Sequence, residues 1–94
     1  MTIHAGPYEF TALDYNSQSD LLDLSIDGRW GVGDEETPEG HWWFVAGDGS
    51  DEIVALQLLK PRERLEALGA VVVTLPTGEQ VTVEGIENAL TLPA

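Results

Sequence analysis

Leu22, Leu24 and Ile26 alternate with Asp23, Ser25 and Asp27. A period of two admits one regular backbone, the strand, because successive side chains point to opposite faces; here aliphatics line one side and polar groups the other. The same period recurs along the chain. Val81 and Val83 alternate with Gln80, Thr82 and Glu84, while residues 8–15 carry Phe10 and Ala12 on one parity and Leu13 and Tyr15 on the other. Turn-forming residues separate these runs at 16–20, at Gly47, Asp48, Gly49, Ser50 and Asp51, and at Pro76, Thr77, Gly78 and Glu79. Runs joined this way read as hairpins: 8–15 with 22–26, 42–45 with 53–59, and 71–75 with 80–84. Residues 53–59 are apolar except for Gln57, which predicts a strand covered on both faces and central in its sheet.

Two stretches depart from this pattern. Pro61 suits a first helical turn, residues 62–68 are helix formers with Leu65 and Leu68 on one face, and Gly69 closes the helix. Residues 28–40 mix glycine, acids and Pro38 without alternation and read as a long exposed loop, while 85–92 fits either a helical turn packing Ile86 and Leu90 or an extended end. With 94 residues there is room for one core, so the expectation is a single small domain over 1–94. Its class is α+β: an antiparallel sheet of about five or six strands built from hairpins, with one short helix packed on one face.

Charge bounds the partners. Seventeen acidic side chains against four basic ones give a net charge of −13, which excludes nucleic acid, whose capture depends on Lys and Arg neutralising phosphates. An apolar fraction of 43% is nevertheless enough for a core. The absence of cysteine fits a reducing cytosol. Residues 1–10 lack the basic and apolar regions of a secretion signal, and no apolar run approaches membrane-span length, so the chain reads as cytoplasmic and unprocessed, with no membrane partner. Lys60, Arg62 and Arg64 form one basic patch, Arg29 standing apart, whereas Asp34, Glu35, Glu36, Glu39, Asp48, Asp51 and Glu52 follow one another without a cation between them. Such a run is either a solvated face or a docking site for a basic protein.

Catalytic and metal chemistry finds little support. Asp48, Ser50, Asp51 and Glu52 resemble oxygen ligands but lack the spacing of a helix–loop–helix calcium site. His4 and His41 are the only imidazoles and are not paired at helical spacing, so zinc would need additional carboxylates; His41 is expected to cap a strand beside Trp42. There is no thiol and no Gly-x-Ser-x-Gly elbow, and Gly31, Val32 and Gly33 lead into Asp34, Glu35 and Glu36, which would repel a phosphate. No catalytic residue, metal ligand or cofactor is assigned.

Trp30, Trp42 and Trp43 are the remaining candidates. Adjacent residues of one strand face opposite ways, so Trp42 and Trp43 cannot both enter one core. The outward one either covers a sheet edge or packs under the Trp30 loop, or else serves as an interface anchor, most simply in a homodimer, the commonest assembly of small proteins.

A resemblance adds to this. The stretch from Tyr15 and Asn16 through Asp20 to Leu22, Asp23, Leu24, Ser25 and Ile26, then Val45 leading through a Gly-Asp turn into residues 53–59, resembles a family of small bacterial proteins catalogued as domain of unknown function 2283. The likeness covers residues 15–65. This chain has Asn16 where that family tends to have Asp, Asp23 where an aromatic is common, Gln57 for Glu, and the added Trp42 and Trp43. The resemblance implies no catalytic residue. The function expected from sequence is therefore a non-catalytic interaction domain forming a homodimer. Its alternatives are an acidic neutraliser of a basic partner, antitoxin-like or DNA-mimicking, and a small-ligand binder or enzyme using His41 with nearby carboxylates.

Overall fold

The computed structural model describes residues 2–90. Nine strands and two helices follow in order: β1 (Ile3–Ala5), β2 (Tyr8–Phe10), β3 (Ala12–Asn16), β4 (Leu21–Ser25), β5 (Val32–Glu36), β6 (Trp42–Val45), β7 (Ile53–Leu59), α1 (Pro61–Leu68), β8 (Val72–Thr74), β9 (Gln80–Thr82) and α2 (Ile86–Leu90). The architecture is α+β. Its frame is a five-stranded antiparallel sheet in the order β3-β4-β7-β6-β5, accompanied by the two-stranded sheets β1-β2 and β8-β9. As its composition predicts, β7 is the central strand.

Register explains the core. Leu24 stands opposite Leu56, Leu22 opposite Leu58, and Trp43 opposite Leu56, so the alternating aliphatics of β4, β6 and β7 share one face. The two small sheets and α2 cover that face. Ile3, Ala5 and Phe10 from the first hairpin, Val71, Val73, Leu75 and Val83 from the second, and Ile86, Ala89 and Leu90 from α2 complete the buried cluster. The hairpins are joined at His4 and Glu84, which exchange backbone hydrogen bonds of 3.1 and 2.8 Å. Residues 86–90 are thus helical, the final residues of the ambiguous 85–92 stretch lying outside the described residues.

Three expectations change. Residues 8–15 are not one run against 22–26: β2 pairs with β1, and only β3 pairs with β4. The 28–40 stretch is not all loop, since residues 32–36 form the edge strand β5 against β6. Gly, Asp and Glu disfavour strands on their own, but Trp42–Val45 offers a ready backbone edge, and every β5 residue stays exposed. Gly31 fixes the approach, because a Cβ there would stand 1.7 Å from the Val45 carbonyl oxygen. For α1, Pro61 is buried and Leu65 packs against the core, but Leu68 is 76% exposed and makes no part of the expected packing face.

What anchors α1 lies far away in sequence. Lys60, at its N-terminus, has φ 51° and no side-chain cap. Asp20 fills that role: its carboxylate accepts the Arg62 and Glu63 amides at 3.1 Å each and the Tyr15 hydroxyl at 2.9 Å, while its carbonyl accepts the Lys60 amide at 2.8 Å. Arg62 in turn lies 5.1 Å from the Tyr15 ring centroid. Asp20→Ala should therefore lower the urea unfolding free energy by about 1–2 kcal/mol, the range for a lost helix cap, although the residue lies in a β-turn.

Candidate functional site

The segment leading into β6 sorts its side chains by parity. Glu39, His41 and Trp43 turn toward the C-terminal hairpin, and Trp42 turns away. The Trp43 indole is buried against Tyr8 and Phe10, at centroid distances of 5.2 and 6.4 Å, and donates from Nε1 to the Thr74 carbonyl at 2.8 Å. The Glu39 carboxylate accepts the Thr74 amide at 3.1 Å, the Thr74 hydroxyl at 2.7 Å and the Gln80 side-chain amide at 3.1 Å. Between them lies His41, fully buried. Its Nδ1 accepts the Leu59 amide at 3.0 Å, so the proton sits on Nε2 and is donated to the Val72 carbonyl at 3.1 Å. His41 therefore does not cap a strand end; it ties β7 to β8.

These contacts set the charge states. Burial, with the Arg64 guanidinium close by, pulls the His41 pKa down to about 4 against the opposing pull of the Val72 carbonyl and Glu39. With both ring nitrogens engaged by backbone, the imidazole has no free lone pair for a metal and no proton to exchange with a ligand. For Glu39, burial acts upward but hydrogen bonds from Thr74, Gln80 and Thr37 outweigh it, and the pKa falls to about 2. Glu39 is thus half-buried with its carboxylate committed to the second hairpin, rather than free in an acidic docking surface. Among the described residues, no group of three or more His, Cys, Asp or Glu side chains is placed to hold a metal ion. No helix there is long and apolar enough to cross a membrane.

The outer face of the sheet is different. Glu36, Trp42, Gln57, Asp23 and Asp14 stand opposite one another in a single row across five strands. Beside it runs a second row of Gly33, Phe44, Ala55, Ser25 and Ala12, where Trp30 meets Phe44 edge-on at 5.4 Å. Trp30 is 49% exposed, Val32 57% and Trp42 37%. Trp30, in the loop before β5, and Trp42, in β6, belong to this face, whereas Val32, opposite Val45, is exposed at the edge strand on the other parity. Of the expected tryptophan trio, the structure therefore brings Trp30 and Trp42 to the surface and takes Trp43 into the core.

The seven acids also separate. Glu52 receives a bidentate ion pair from Arg29, at 2.8 and 3.0 Å. Asp48 accepts the Ser50 hydroxyl and amide, closing its own turn. Among the described residues, Asp34, Glu35, Glu36 and Asp51 have no side-chain hydrogen bond or ion pair, and the first three lie on the edge strand. The basic patch is largely spent internally: Arg62 donates to the Leu90 carbonyl at 2.8 Å and Arg64 to the Glu39 carbonyl at 2.6 Å. The surface that remains is an aromatic cluster bordered by unpaired carboxylates at a free sheet edge.

No family model, curated protein or solved structure matches this chain.

The sequence named Glu39, His41 and Trp43 but assigned them elsewhere, and it missed Thr74, Val72 and Leu59 as their partners. Their spacing at every second residue was the available signal. Between pH 6.5 and 4 the unfolded chain binds a proton at His41 that the folded chain excludes, so stability rises with pH through that window. Acidification from pH 7 to pH 5 should remove about 2 kcal/mol of unfolding free energy. His41→Gln, whatever its overall stability, should flatten that dependence. The pH span stays above the window in which Glu39 protonates, which opens only below its ordinary value of 4.5. Urea titrations of both proteins at a series of pH values read the slope.

Proposed function

We propose that this protein is a non-catalytic interaction domain that binds a basic partner protein through the outer face and edge formed by β5 and β6. The carrying observation is the coincidence of exposed Trp30, Val32 and Trp42 with the unpaired carboxylates of Asp34, Glu35 and Glu36. Exposed aromatics serve as anchors that lose water on docking, and a surrounding ring of one charge selects the partner and speeds encounter. A net charge of −13 extends that attraction beyond the contact itself. Self-association through this face is less favourable, because two copies would set Asp34, Glu35 and Glu36 against like charges. This favours the neutralising role over the homodimer. It also fits a cytoplasmic protein.

The enzyme or small-ligand reading is weaker on chemical grounds, since His41 is committed to backbone at both nitrogens. The likeness to the uncharacterised family adds no substrate and leaves this reading unchanged.

A ten-residue peptide of alternating arginine and valine is a suitable probe, because Trp30 and Trp42 report docking through their fluorescence. Binding should shift their emission and weaken as salt is raised from about 0.05 to about 0.5 M, where exposed charges are screened. Trp42→Ala should weaken binding by about tenfold, equivalent to ~1.4 kcal/mol, in a variant shown by circular dichroism to remain folded. Binding that is unaffected by Trp42→Ala would contradict this assignment of the face, and a stable dimer in sedimentation that disappears on the same substitution would return the face to self-association.

A further inference from the structure

We infer that the basic partner binds as an added β-strand, extending the five-stranded sheet beyond β5; this rests on the docking face proposed above. β5 ends the strand order and is paired on one side only, by β6. Five residues at roughly 3.4 Å each offer about 17 Å of backbone edge to an extended segment. Strand addition uses such an edge for affinity and the flanking side chains for selection.

The side chains suit an extended chain carrying arginine or lysine. Glu36 stands directly opposite Trp42, which places a carboxylate next to an exposed indole, the two groups that together hold a cationic side chain by ion pairing and by attraction to the ring face. Next along the edge, Gly33 has no side chain. A Cβ built there would lie 3.7 Å from both the Trp42 and Phe44 rings, so a segment lying along β5 reaches those rings over the glycine. The register shifts between Gly33 and Glu35, leaving Asp34 as the extra residue of a bulge. A bulge bends an edge and confines pairing to a short stretch.

Acids and a bulge also protect an edge from aggregation, but that purpose does not require exposed apolar groups beside it. Here Trp30, Val32 and Trp42 flank the edge. The other edge strand, β3, has no exposed large apolar residue among the described residues. Charge makes the selection: three carboxylates repel the same edge of a second copy and attract a basic strand.

The test compares the arginine–valine peptide with the same peptide N-methylated at its central backbone amides. Methylation keeps every side chain and charge but removes the donors that pair with a sheet edge. The expected result is at least tenfold weaker binding of the methylated peptide, with slowed amide hydrogen exchange in residues 32–36 on binding the parent. Equal affinity of the two peptides, without added protection in residues 32–36, would overturn strand addition while leaving the docking face intact. Failure of the parent peptide to bind at all would overturn the docking face and strand addition together.

Discussion

The hydrogen bonds that Glu39, His41 and Trp43 share with the backbone of residues 72 and 74, Glu39 accepting and the two rings donating, join the five-stranded sheet to its C-terminal cover. Without the second hairpin, the face bearing Leu22, Leu24, Leu56 and Leu58 would be partly open to water, because the rest of the covering layer is one short hairpin and one short helix. Strand pairs this small have little stability of their own and depend on what they pack against. A buried donor or acceptor that loses its partner costs about 1–3 kcal/mol, more than the bond contributes when made. These polar ties therefore fix where the hairpin sits more strongly than they stabilise it.

The same alternation that builds this clasp also creates the surface. Glu39, His41 and Trp43 face inward, so the pleat sends Trp42 outward onto the row shared with Glu36 and Gln57. Trp30 reaches the outer face by a separate route, through a loop whose close approach to Val45 only Gly31 permits. Removing Trp43 from the list of surface anchors and Glu39 from the list of surface acids leaves a smaller, chemically coherent face. It consists of two tryptophans and Glu36, with Val32, Asp34 and Glu35 exposed along the adjoining edge strand.

Much of the fold was legible because burial writes itself as period two. Leu22, Leu24 and Ile26 placed a strand, the apolar run at 53–59 placed the centre of the sheet, and Pro61 with Gly69 bracketed a helix. β5 was not legible. Its residues are poor strand formers, and their strand state comes from pairing with β6 across a turn at 37–41, where the Thr37 amide donates to the His41 carbonyl at 2.7 Å. The contradictory orientation of Trp42 and Trp43 was predictable, but which one turned inward depended on the distant Thr74 carbonyl. Asp20 posed the same difficulty: its turn was visible, its service as the cap of a helix beginning at residue 61 was not. Long-range polar partners leave no periodic trace in a single sequence.

The clasp has a direct measurement in native-state hydrogen exchange. The Leu59 and Thr74 amides donate to side chains, His41 Nδ1 and the Glu39 carboxylate, rather than to a neighbouring strand. If those side chains hold the hairpin on the sheet, both amides should exchange only through global unfolding, with the same free energy as the other amides of β7. Exchange of the Thr74 amide at the rate of an exposed loop, while β7 stays protected, would show that the hairpin opens independently and that the fold does not rest on this clasp.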